Sequence, residues 1–259
     1  MLKDKVVLIT GSTTGIGEAI ARRSVAEGAR VMVHGRREES AQEICRELGE
    51  DAAAYVTADL ADAASGSQTI QATVERFGRI DCLVNNAAST ARSDIDTTTP
   101  EFFDKMIAIN LRAPLFLIQA AMPHFRAQGH GTVLNIGSIN ALSGEPNLLA
   151  YSASKGGLQT LTRNLANTHA TEKIRFNQLN VGWVTSENEI ALKISEGLAP
   201  DWYKNVPPEY APFGRLQTPE QIASHAVFWI SEQSYPANGV VYEVDQTSPY
   251  GRNPAKVQW

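Results

Sequence analysis

Short runs of β-branched and aliphatic residues recur along the chain, separated by longer stretches in which apolar positions return every three or four residues. The short runs predict strands at 5–10, 30–34, 53–57, 80–85, 132–137, 174–180 and 240–245. The longer stretches predict helices at 16–27, 38–48, 66–77, 101–128, 151–170 and 219–232. The strand runs are apolar throughout rather than alternating, as expected where helices cover both faces of a parallel sheet. The expectation is an α/β chain with a doubly wound parallel sheet of about seven strands. No repeat, low-complexity tract or linker divides it, so residues 1–259 are read as one domain. The rhythm fails once, between Gly182 and Phe213, where Pro200, Pro207, Pro208 and Pro212 cluster. An insertion after the carboxyl end of a strand lies where such sheets keep their ligands, so 182–213 is read as a mobile substrate cover.

Composition narrows the function. The net charge of −5 argues against a nucleic-acid surface, which needs an excess of Lys and Arg. Cys45 and Cys82 are the only cysteines, without C-x-x-C spacing, and are read as unbridged thiols of a reducing compartment. The first apolar run, Val6 to Ile9, is too short for a signal peptide or a membrane span, so a cytoplasmic protein without membrane contact is expected. His34, His124, His130, His169 and His225 show no metal-ligand spacing and are read as surface or helix residues, with no metal site.

Candidate chemistry starts after the first strand, at Gly11-Ser12-Thr13-Thr14-Gly15-Ile16-Gly17. Glycines between a strand and a helix serve a tight turn, close approach to a pyrophosphate and close helix packing, and the helix N-terminus offers free N–H groups to phosphates. This is the Rossmann-like arrangement for a dinucleotide. The second strand ends in His34-Gly35-Arg36-Arg37, where an NAD site usually carries an acid. Gly35 leaves room and Arg36 can fork onto a 2′-phosphate, so NADP is the preferred cofactor, with NAD possible.

Tyr151 and Lys155 stand four apart on one helix face, and Ser138 ends a strand upstream. Moving a hydride to or from an alcohol carbon requires a proton acceptor or donor at the oxygen. A phenol of pKa ~10 is a poor base, but an ammonium at ~4 Å in an effective dielectric of ~20 favours the phenolate by roughly 4 kcal/mol. The expectation is that Lys155 brings Tyr151 into the neutral range while Ser138 bonds the substrate oxygen.

These residues resemble the short-chain dehydrogenase/reductase family, in its compact single-domain branch. The matching segments are Thr10-Gly11…Gly15-Ile16-Gly17, Asp59-Leu60, Asn85-Asn86-Ala87-Ala88, Asn110, Ser138 and Tyr151-Ser152-Ala153-Ser154-Lys155, in family order over nearly the whole chain. The resemblance implies an NAD(P)-dependent oxidoreductase acting on an alcohol/carbonyl pair. It implies that Asp59 contacts the adenine, Asn85 to Ala87 line the cofactor channel, Lys155 also binds the nicotinamide ribose, and Asn110 anchors a proton-relaying water. Three positions depart from the family: Ala88 for a glycine, Val181-Gly182 for Pro-Gly, and Thr14 where many NADP-preferring members carry Lys or Arg. Val184 backbone and the Ser186 hydroxyl remain able to meet the nicotinamide amide. Long helices at these places form subunit interfaces in the family, which implies a homotetramer, and the tail Tyr250-Gly251-Arg252-Asn253-Pro254 is read as a segment for a neighbouring subunit.

The residues expected around the open pocket are polar, namely Arg92, Asn140, Asn147, Trp183 and Asn188 with Ser89, Thr90, Glu145 and Glu187. Polar groups beside an aromatic face suit a sugar or polyol better than a steroid or fatty-acyl chain; Arg92 alternatively holds an anionic group. The competing readings are a ketoacyl or general carbonyl reductase and a cofactor-sensing regulator without catalysis. A sugar-nucleotide epimerase would need a further substrate domain. Ser138 lacks the G-x-S-x-G surroundings of a hydrolase nucleophile.

Overall fold

Runs of buried aliphatic residues pair into one seven-stranded sheet in the computed structural model, which describes residues 1–247. The strands are β1 (Val6–Ile9), β2 (Arg30–Gly35), β3 (Ala53–Thr57), β4 (Cys82–Asn85), β5 (Gly131–Ser138), β6 (Ile174–Val181) and β7 (Val241–Val244). Their order is β3-β2-β1-β4-β5-β6-β7 and every neighbouring pair is parallel. The order reverses between β1 and β4, which opens a crevice beyond the carboxyl ends of those strands. The tail at Tyr250 to Pro254 lies outside the described residues.

The helices are α1 (Gly15–Ala26), α2 (Glu38–Leu48), α3 (Ser65–Phe77), α4 (Pro100–Ile107), α5 (Ala113–Gln128), α6 (Asn140–Ser143), α7 (Leu149–Thr168), α8 (Glu187–Ser195) and α9 (Pro219–Ile230). Alternation along each strand sends side chains to two separate cores. Val7, Ile9, Val31, Val33 and Val84 pack with α1, α2 and α9. Val6, Leu8, Met32, Leu83 and Val133 pack with α3, α5 and α7. Helix starts follow capping chemistry: Thr99 accepts from Phe102 N ahead of Pro100, and Thr218 and Gln221 form a reciprocal capping box around Pro219.

The single helix expected over 101–128 is divided by a π-helical turn, Ala108–Arg112. Its cause is tertiary. Asn110 faces inward to bond Ser89 and Ser154, and the wider turn accommodates that side chain. By length and composition Pro100–Gln128 could cross a membrane, but half of its most apolar window is buried; Leu117, Ile118, Ala121, Met122 and Phe125 pack on the sheet. Cys45 and Cys82 are free and buried. Within 182–213, expected to be irregular, the chain forms α8 and a short 3₁₀ turn at Trp202–Lys204.

Candidate active site

A cleft of about 930 Å³ runs along the carboxyl ends of the strands. Gly11, Thr13, Gly15 and Ile16 enter it after β1, Arg36 after β2, Asp59 and Leu60 after β3, Ala87 after β4, Ser138 and Asn140 after β5, and Val184 and Ser186 after β6. The close approach at the first turn is real: Gly11 has φ +63°, and a Cβ there would lie 2.9 Å from Ala87 Cα. Asn86 fastens the turn by donating from Nδ2 to Thr10 O (2.9 Å) and Gly11 O (3.0 Å). Three expected cofactor residues lie behind the wall rather than in the cleft. The Ser12 hydroxyl turns inward to Ile9 O (2.7 Å), Gly17 packs against Gly11 O, and the buried Asn85 side chain donates to Asn135 Oδ1 (2.9 Å).

His34, read as a surface residue, is buried and lines the cleft. Burial holds its imidazole down at about 4, against smaller opposing effects of the Ala58 carbonyl and Asp59. The signal was present in the sequence, since His34 stands between Val33 and Gly35 in an otherwise apolar strand.

Tyr151 and Lys155 lie in the first turns of α7 and face the Ser138 end of β5 across the cleft. Lys155 Nζ donates to Ile136 O at 2.8 Å and sits 5.7 Å from the centre of the Tyr151 ring. Burial lowers its pKa to about 8. The expected depression of Tyr151 does not appear in the protein alone. Burial pushes the phenol up, opposed by its hydrogen bond with Ser138 and by Arg92, and reinforced by Glu189 and Glu145. Desolvation is the largest of these effects, and the Lys155 ammonium is engaged with the Ile136 carbonyl. Asn110 is buried outside the cleft, accepting from Ser89 N (2.8 Å) and donating to Ser89 O (2.9 Å) and Ser154 Oγ (3.1 Å).

Beneath α7 runs a chain of buried side chains: Asn85 donates to Asn135, Asn135 to Thr162 (2.8 Å), Gln178 to Asn180 (2.8 Å) and Asn180 to Gln159 (2.9 Å), while the single Thr162 hydroxyl proton lies within reach of Leu158 O (2.8 Å) and Gln178 Oε1 (3.0 Å). Sequence reading did not find it, because its members come from β4, β5, β6 and α7 and meet only in the fold.

At the mouth, Arg92 donates to Glu196 (3.2 Å) and lies 3.8 Å from Glu189, so its charge is already met rather than awaiting an anion. Trp183 Nε1 donates to Glu189 (2.9 Å), and its ring stacks on Trp202 at 5.1 Å. Asn188 bonds Thr14 Oγ1 (3.0 Å), tying α8 to the glycine turn. Asn147 is not in the cleft: it is exposed, and its carbonyl accepts from Ser93 N. Among the described residues no group of His, Cys, Asp and Glu could hold a metal ion.

A family model described as short chain dehydrogenase matches residues 5–196. The chain belongs to the short-chain dehydrogenase/reductase family. It is 30% identical to an NADP-dependent (R)-specific alcohol dehydrogenase of Lentilactobacillus kefiri over 94% of its length and 96% of that protein's. Among solved structures it matches a 3-ketoacyl-(acyl-carrier-protein) reductase of Brucella melitensis complexed with NADH, at TM-score 0.83 and 32% identity, covering 95% and 98% of the two chains. It also matches L-sorbose reductase of Gluconobacter frateurii complexed with NADPH and L-sorbose, at TM-score 0.89 and 28% identity, covering 94% and 96%. This family member is therefore an NAD(P)-dependent oxidoreductase with a Rossmann-like parallel sheet.

Proposed function

We propose that the protein moves a hydride between NADP(H) and the alcohol/carbonyl pair of a polar, sugar- or polyol-type substrate, with Tyr151 as acid and base. The observation that carries the reading is the convergence of Ser138, Tyr151 and Lys155 on the cleft that also holds the glycine turn. The residues fit a dinucleotide, because the cradle at Gly11 would be filled by any Cβ. When bound, the nicotinamide supplies the hydride acceptor or donor. Gly11 to Ile16 would hold the pyrophosphate, Arg36 the 2′-phosphate, Asp59 and Leu60 the adenine, and Val184 and Ser186 the carboxamide. Tyr151 takes the hydroxyl proton in oxidation and returns it in reduction, while Ser138 donates to the substrate oxygen as charge develops. Lys155, whose pKa burial lowers to about 8, stands 5.7 Å from the centre of the Tyr151 ring, and in this reading it would favour the phenolate once cofactor and substrate are bound.

Cofactor choice rests on Gly35. A Cβ there would lie 2.6 Å from Thr13 Cγ2, so an acid for the ribose hydroxyls has no room beside Thr13, whereas exposed Arg36 faces the cleft. The substrate reading rests on Asn140, Trp183, Glu189, Arg92 and Tyr210 around the opening, with residues 182–213 as its cover. The likeness to a ketoacyl reductase favours a general carbonyl reductase as second reading. The exposed Phe103, Leu115, Phe116 and Leu149 on α4, α5 and α7 support a homotetramer, and the two buried free thiols suit a cytoplasmic setting.

Following reduced-nicotinamide absorbance with NAD and NADP against sugars, polyols, sugar acids, simple secondary alcohols and small diketones tests these readings. Turnover of one sugar or polyol with NADP is expected; activity confined to diketones or acyl thioesters overturns the substrate class. Tyr151→Phe should abolish turnover and still bind cofactor, an outcome a non-catalytic regulator could not give.

A further inference from the structure

Three hydrogen bonds join the turn after β1 to the end of β2, and one of them is made by the His34 ring. Ser12 N donates to His34 O (2.9 Å), His34 N donates to Ser12 Oγ (3.0 Å), and Gly11 N donates to His34 Nδ1 (3.2 Å). An imidazole accepts at Nδ1 only as the neutral ring with its proton on Nε2. Burial enforces that form. The resulting Nε2–H is itself buried and makes no hydrogen bond of normal geometry, the Ala58 carbonyl acting on the ring only weakly, although His34 forms part of the cleft wall beside Gly35, Ala58 and Asp59. An unmet buried donor is unfavourable. Valine, which β2 carries at positions 31 and 33, would leave no such group, so packing alone does not account for a histidine here.

We propose that His34 is a positioning residue for the dinucleotide: its Nδ1 holds the Gly11 N–H, and with it the whole glycine turn, in the shape that receives the pyrophosphate. The turn is then ordered before binding, and the loss of freedom that would otherwise oppose association has already been met in folding. His34 touches no reacting atom. Its contribution belongs to cofactor affinity and not to the hydride or proton steps.

The test is calorimetric titration of NADPH and of NADH into the wild type, His34→Leu and His34→Asn. Leucine fills the space without an acceptor, whereas asparagine places Oδ1 where the imidazole has Nδ1. His34→Leu should weaken dinucleotide binding about tenfold, the effect of losing roughly one net hydrogen bond, while His34→Asn stays within about threefold. The loss should fall on cofactor KM far more than on kcat in His34→Leu, a split that a general loss of structure would not give. In the cofactor-free wild type the Gly11 amide should exchange slowly, and in His34→Leu quickly. Wild-type affinity in His34→Leu, or equal weakening in both variants, overturns the assignment. If His34→Leu does not fold, tenfold weaker binding in His34→Asn, or an unprotected Gly11 amide in the wild type, overturns it equally. A wild type that takes neither dinucleotide would overturn the cofactor reading itself, a result unlike either of these.

Discussion

Gly35 ends β2 so close to the Thr13 methyl group that no side chain fits between them without displacing it. Gly35→Asp should therefore weaken binding of both dinucleotides. It should act more strongly on NADPH, by about tenfold or more, since the carboxylate also repels the 2′-phosphate. Adding Thr13→Ala removes that methyl and should restore NADH in preference. The ratio of cofactor KM values reads this, and an unchanged ratio in the double variant removes the steric account. His34, one residue earlier, has a consequence for stability. Its folded pKa of about 4 lies below the ordinary 6.5 of histidine, so the unfolded chain binds the extra proton first as pH falls. The stabilisation is complete above about pH 6.5 and is lost as pH falls through 4, amounting to about 3 kcal/mol. Urea unfolding of the wild type and His34→Asn between pH 7 and 4 should show the wild type losing about that much more. Parallel curves would mean that the ring is not buried neutral. At this scale the sequence spoke clearly for the glycine turn and for Tyr151 and Lys155, whose spacing sets one helix face. It placed Asn147 at the pocket wrongly, because which way a loop side chain points depends on neighbours that no local pattern encodes.

The strands were legible as elements because a strand covered on both sides needs uninterrupted Val, Ile and Leu, and little else in the chain has that texture. The division of 101–128 was not, since the π turn answers to Ser89 and Ser154, both distant in sequence from Asn110. Helix α8 was hidden for another reason: none of its residues is buried, so the apolar periodicity that marks a core helix is absent. Helix α7 carries both Tyr151 and Lys155, and it is tied to β5 and β6 by the buried hydrogen bonds around Thr162. That hydroxyl accepts from Asn135, and its one proton lies between Leu158 O (2.8 Å) and Gln178 Oε1 (3.0 Å). Thr162→Val keeps the shape and strands both amides, at a cost of about 2–4 kcal/mol in urea unfolding. A change below about 0.5 kcal/mol would show that the amides find other partners.

On the scale of the whole molecule, strand order puts the cleft at the β1–β4 reversal; the alternation of elements was enough to foresee the doubly wound parallel sheet, but not that order. The fastening of 182–213 was not foreseeable, because it depends on groups far apart in sequence, 104 residues in the case of Arg92 and Glu196. Arg92, after β4, reaches Glu196 and Glu189 around α8, and Asn188 reaches back to Thr14. The segment 182–213, proposed as the cover, is thus fastened on both sides of the opening, with Trp183 and Tyr210 lining the cleft. The Arg92 contacts are partly exposed, so their net strength is at most about 1 kcal/mol each and they yield to salt. A fastening of that strength can hold a cover closed over substrate and still release product. Arg92→Met should then raise substrate KM by about threefold to fivefold, with kcat unchanged or higher and cofactor affinity unaffected. In the wild type, substrate KM should climb as salt is raised from about 0.05 to 1 M, over which the screening length shrinks to about 3 Å. The Arg92→Met variant should respond less, because the charge that salt would screen is gone. If both enzymes respond alike, the ion pairs are incidental to substrate binding and the segment is held by other contacts, such as that of Asn188 with Thr14.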